Sequence, residues 1–136
     1  MELTESITPG SRFIWAEALF LTRWNIHVWP RQQHIDNIKT VCGLMNLIRD
    51  EFRAPIIVNS WLRPTAYNAL IGGASRSAHI DGLAVDFVIR DMSCNYIRDV
   101  LKTKLDLWDF RLENNAGSWI HVDKRNPGPG GRFFRP

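Results

Sequence analysis

A chain of 136 residues with 45% hydrophobic and 23% charged residues has the size and usage of one globular domain built on one core. Charges break every apolar stretch, as Glu17 and Arg23 do within residues 13–24, so no run reaches the roughly 20 residues that cross a bilayer and a transmembrane helix is excluded. A net charge of +3 and a pI near 9.2 favour an anionic polymer as partner, nucleic acid or bacterial wall, without choosing between them.

The opening residues Met1-Glu2-Leu3-Thr4-Glu5 are acidic where a secretory leader is basic, and no apolar leader core follows, so synthesis in the cytoplasm is expected. The first predicted element is a helix over residues 11–21, with Ser11 as N-cap and Ile14, Trp15, Ala18 and Leu19 on one face. Trp24, His27, Trp29 and Arg31 then read as a connecting loop that packs on the core, with stacking on sugars or bases as the alternative. Over residues 34–52, Ile35, Ile38, Cys42, Met45, Ile48 and Phe52 recur at spacings of three and four, which predicts an amphipathic helix covering a sheet. His34 stands at its start, and it and His27 are assigned packing or capping roles outside the site. Ile56-Ile57-Val58 predicts a short buried strand after Pro55, and residues 59–77 a connection holding a short helix near 65–70 that ends at Gly72-Gly73. The clearest strand covers residues 82–89, where Leu83, Val85, Phe87 and Ile89 face the core and Gly82, Ala84 and Asp86 face away. A helix over residues 93–105 and strands near 110–113 and 118–123 complete the pattern, which is that of an α+β domain with a small antiparallel sheet flanked by helices. The domain is expected over residues 1–125, followed by an irregular tail over 126–136 that is rich in Pro and Gly. Cys42 and Cys94 are expected to be free thiols.

Both good strands carry a polar residue opposite their apolar side chains, Asp86 on one and His121 on the other. If the strands are neighbours, these side chains converge, and His79 folds over the same face across a turn that Gly82 permits. Two imidazoles and one carboxylate make a zinc set that leaves a fourth coordination position open. Glu113 shares its side of a strand with Arg111, and a carboxylate beside such a centre is placed to take the proton of a water attacking a carbonyl. Asp81 and Asp123 are further carboxylates nearby, assigned to solvent or to supporting the ligands.

Ser77-Ala78-His79-Ile80-Asp81-Gly82-Leu83-Ala84-Val85-Asp86 fits the pattern SxHxxGxAxD and resembles the zinc D-alanyl-D-alanine carboxypeptidases and the related phage L-alanyl-D-glutamate endopeptidases. Ser60-Trp61-Leu62-Arg63-Pro64 with Asn68 and Gly72-Gly73-Ala74 is similar to that family's SGYRSP…N…GGA segment, and Glu113 with Trp119-Ile120-His121 to its E…WxH element. Five fixed identities in ten positions arise by chance on the order of once in a million starts. Trp61 and Leu62 replace the usual Gly-Tyr, and Ala78 stands where Gln is frequent, departures that bear on the substrate cleft rather than on a ligand.

The resemblance implies a hedgehog/DD-peptidase-like fold with Zn2+ held by His79, Asp86 and His121. It implies Glu113 as catalytic base, Arg63 binding substrate or the developing oxyanion, and Ser77 and Trp119 in the substrate site. The implied function is cleavage of peptidoglycan stem peptides at the cell wall by a phage lysis or virion-associated enzyme, with virion proteins as further partners and neither nucleic acid nor membrane. A zinc-containing module that binds wall peptides or a protein without cutting them is the alternative.

Overall fold

Burial follows the two periodicities of the sequence, three-and-four in the long helix and two in the strands. The computed structural model describes residues 1–114 and 117–135. In chain order the elements are α1 (Trp15–Leu19), β1 (Phe20–Leu21), β2 (Ile26–His27), α2 (Gln32–Phe52), β3 (Ile56–Ser60), α3 (Thr65–Leu70), β4 (Ala84–Ile89), α4 (Cys94–Lys102), β5 (Arg111–Glu113), β6 (Ile120–Asp123) and β7 (Phe133–Phe134). A single 3-10 turn, Ala78–Asp81, leads into β4. The domain is therefore α+β, with a five-stranded sheet in the order β3-β4-β6-β5-β7 and a separate β1–β2 hairpin. The pairs β3–β4, β4–β6 and β5–β6 are antiparallel, and β5–β7 is parallel.

Ile38, Val41, Cys42, Met45 and Ile48 of α2 are fully buried in one cluster with Val85, Phe87, Leu112, Ile120 and Val122 of the sheet and Ile97 and Leu101 of α4. Burying each such side chain contributes roughly 1.5–3 kcal/mol, so this cluster anchors the strands whose other faces carry the polar residues. His34 caps α2 as its position suggests, its Nδ1 accepting the Arg31 N–H at 3.2 Å. Both cysteines are free thiols. Among the described residues no helix is long and apolar enough to cross a membrane.

Three expectations change. The helix over residues 11–21 shrinks to five residues, because Ile7 N–H donates to Phe13 O at 2.9 Å and Ser6 bridges Ile14, which holds that backbone extended. Ser11 caps no helix; its Oγ accepts the Phe13 N–H at 3.0 Å, and Glu17 Oε1 accepts the Ile14 N–H instead. The aromatic stretch is not core: Trp29 is 73% exposed, and Trp24 sits edge-on to Tyr67 with ring centroids 4.9 Å apart. Its two-residue strands pair only with each other around a turn in which Asn25 has φ 51, so they never join the main sheet. The segment expected as an irregular tail contributes β7. Leu112 N–H donates to Arg132 O at 2.7 Å and Asn114 N–H to Phe134 O at 2.6 Å, while Phe133 packs on the core.

Candidate metal centre

Adjacent antiparallel strands place directly opposed side chains on one face, and the register of β4 and β6 pairs Asp86 with His121. His79 arrives from the 3-10 turn, which Ser77 caps by accepting the His79 N–H on Oγ at 3.2 Å. Gly82 ends that turn at φ +77, a conformation that favours glycine, and a Cβ there would stand 3.2 Å from Ile38 Cγ1 of α2. Capped at one end and released at the other, the turn brings the His79 ring to 5.2 Å from the His121 ring. One ligand atom from each of His79, Asp86 and His121 lies within 4.8 Å of the others, and all three residues are buried.

The proton positions on His79 follow from its partners. Nδ1 lies 2.7 Å from the Trp61 carbonyl oxygen, which can only accept, so Nδ1 carries the proton and Nε2 presents a lone pair. Burial, above all, holds the His79 pKa below its ordinary value and keeps the ring neutral. Nε2 is buried without a hydrogen-bond partner, although Asp86 Oδ1 is only 3.1 Å away. Two lone-pair atoms at that distance in a buried site repel each other unless a cation lies between them. The donor set, two imidazoles and a carboxylate, fits zinc.

Burial opposes the charge of Asp86, yet the hydrogen bond and charge of His121, with Arg63 on the other oxygen, hold its carboxyl well below the usual carboxylate range. Its Oδ1 is 2.8 Å from His121 Nδ1, and its Oδ2 accepts from Arg63 Nη2 at 2.9 Å. Burial also works against charge on His121, but hydrogen bonds to Asp123 and Asp86 outweigh it and push the pKa up to about 9 in the absence of metal. Glu113 is half-buried, and its carboxyl is raised foremost by burial; Asp86 and Asp123 add to this against His121 and Arg98. A carboxyl raised toward neutrality is tuned as a proton acceptor that can give the proton back.

Arg63, Asn68 and Gly73 of the upstream motif interlock beside the cluster. Arg63 turns into the site, its Nε donating to Ser60 Oγ at 2.9 Å and its Nη1 lying 3.5 Å from Asn68 Oδ1. Its backbone N–H donates to His79 O at 2.9 Å, which ties the arginine segment to the ligand turn. Asn68 Nδ2 donates to Ala74 O at 2.8 Å, and a Cβ on Gly73 would fall 2.1 Å from Asn68 Oδ1, so any larger residue there must displace the Asn68 side chain. Trp119, half-exposed just before β6, lends its carbonyl to Arg98 Nη2 at 3.3 Å.

The structure thus brings together His79, Asp86, His121 and Arg63, with Ser77 capping the ligand turn and Glu113 on the neighbouring strand. Sequence reading left Arg111, Asn68, Arg98 and Phe134 without a place at the site. The two-residue alternation on β5 and β6 puts Arg111 on the side of Glu113 and Asp123 on the side of His121, but only the register shows that Arg111 and Asp123 face each other.

The sequence profile of the family described as Peptidase M15 matches residues 21–123, which span every ligand just described. The chain belongs to the peptidase M15 family. M15 peptidases are zinc enzymes that include D-alanyl-D-alanine carboxypeptidases and phage endopeptidases. Membership makes this chain a metallopeptidase by family, with a His-Asp-His cluster able to take the metal. Among curated proteins and among solved structures, none matches the chain. Strand β7 lies beyond the M15 match.

Proposed function

We propose that this M15 chain is a zinc-dependent peptidase of hedgehog/DD-peptidase-like fold that cleaves stem peptides of bacterial peptidoglycan, as a D,D-carboxypeptidase or an L-alanyl-D-glutamate type endopeptidase. In this reading it is made in the cytoplasm and acts on the wall as a phage lysis or virion-associated enzyme. The observation that carries the metal assignment is the buried, unpartnered Nε2 of His79 facing Asp86 Oδ1 at 3.1 Å. When bound, zinc supplies a Lewis acid that polarises the scissile carbonyl and acidifies water. Glu113 takes the proton of the attacking water on its carboxylate and returns it to the leaving amine. Arg63 holds Asp86 through Nη2, and its guanidinium supplies the positive charge that attracts an anionic part of the muropeptide.

Mass analysis of fragments released from purified peptidoglycan tests this reading and identifies the bond. Glu113→Gln is near-isosteric but cannot accept the proton, so hydrolysis should fall about 10² to 10⁴-fold while zinc content stays at the parent level. A variant that cuts at the parent rate removes Glu113 from the chemistry. A folded, zinc-loaded parent that binds wall peptides and releases no fragment favours the non-catalytic module instead.

A further inference from the structure

Asp123 is the last residue of β6 and fully buried, and every one of its acceptor sites is engaged. Arg111, opposite it in the β5–β6 register, donates from Nε to Oδ1 at 2.7 Å and from Nη2 to Oδ2 at 2.8 Å. The Arg125 N–H donates to Oδ1 at 3.1 Å, and His121 Nε2 lies 3.1 Å from Oδ2. An ionised carboxylate can only accept, and the two-pronged arginine keeps this one ionised and fixed in plane. The His121 nitrogen that faces it must therefore be the donor. Without metal, Nδ1 donates likewise to Asp86 Oδ1 at 2.8 Å and the ring is charged; a ring that gives up one proton to a cation on the ligand side keeps the proton clamped by Asp123 and frees Nδ1.

A third layer lies behind the clamp. The Arg111 guanidinium sits 4.0 Å from the centroid of the Phe134 ring, and that ring meets the His121 ring edge-on at 5.9 Å. Phe134 belongs to β7, which pairs with β5 through Leu112↔Phe133 and Glu113↔Phe134. One aromatic ring thus bounds both the arginine and the histidine, and it comes from outside the family-matched segment.

We propose that Asp123, clamped by Arg111 beneath Phe134, is a positioning residue that locks His121 with Nε2 as donor and reserves Nδ1 for the metal, so that β7 is a working part of the metal centre. This rests on the metal assignment above. Carboxylates that orient a metal-ligating histidine typically carry about 10 to 100-fold in metal affinity.

The test uses the full chain and zinc alone. Nitrogen-15 NMR of the zinc-loaded parent should show the His121 proton on Nε2, and a proton on Nδ1 overturns the proposal without any variant. Asp123→Asn should weaken zinc binding, measured by competition with a chelator, about 10 to 100-fold. Arg111→Lys keeps the charge but loses the fork, and should weaken zinc binding in the same direction by a smaller factor; it serves if Asp123→Asn does not fold. Folded variants that hold zinc as tightly as the parent make the clamp structural only and overturn the proposal. A parent that binds no zinc overturns the metal assignment itself, an outcome distinct from a parent that binds zinc with the proton on the wrong nitrogen.

Discussion

The two histidines of the centre are held by opposite kinds of partner. His79 donates from Nδ1 to a main-chain carbonyl, that of Trp61, inside a short turn capped by Ser77 and closed by Gly82. His121 sits between two side-chain carboxylates, Asp86 and Asp123, each paired with an arginine. A main-chain carbonyl neither titrates nor can be deleted by substitution, so His79 is fixed by the path of the backbone. His121 is fixed by charge, and charge responds to pH and to mutation of distant members of the chain of contacts.

The largest effect expected from breaking this pair is loss of the metal. His79→Ala and His121→Ala each remove one of three protein ligands, and elemental analysis of either folded variant should find no stoichiometric zinc, with no measurable wall hydrolysis. Stoichiometric zinc in either variant would place the metal elsewhere.

The backbone-held side can be probed through the segment that positions it. Gly73→Ala drives a Cβ into Asn68 Oδ1, which must move and surrender its contacts to Ala74 O and Arg63. Overpacking of this kind costs about 1 to 3 kcal/mol, read as a lowered midpoint in denaturant unfolding with an unchanged slope. Unchanged stability would mean that Asn68 has room to yield.

The charge-held side predicts the smallest and most selective effect. Without metal, the His121 pKa is raised to about 9 from an ordinary 6.5. A raised folded-state pKa contributes stability that is fully present below 6.5 and is lost as pH rises through about 9. Thermal melts of the metal-stripped chain should therefore shift downward across that window, and His121→Gln should flatten the shift whereas His79→Gln should leave it. An equal flattening by both would erase the distinction between the two histidines.

The cluster of His79, Asp86 and His121 was legible because each member sits on a pattern that one strand or one turn reveals. Asp86 and His121 interrupt period-two alternation, and Gly82 marks the turn that carries His79. The long helix was legible for the same reason, down to His34 at its start. What escaped depends on pairing between distant segments. The clamp of Asp123 by Arg111 needs the β5–β6 register, and β7 needs Phe133 and Phe134 to find a sheet edge across a Pro- and Gly-rich stretch with no strand signal of its own. The short α1 escaped because the Ser6–Ile14 bridge competes for backbone that local propensity assigns to helix.

The direct opposition of Asp86 and His121 has a consequence for how the metal enters. Two of the three ligands are spaced by the hydrogen-bond ladder between β4 and β6, on strands whose other faces hold Val85, Phe87, Ile120 and Val122 in the core. A slip of one residue by either strand would turn its own polar residue into that core and its apolar side chains toward solvent. The sheet thus sets the spacing of these two side chains by itself, and metal loading in the proposed reading is a local adjustment of side chains rather than a folding event. The rate of metal uptake should accordingly be governed by ion dehydration and access to the face, not by the slow step that assembles the domain.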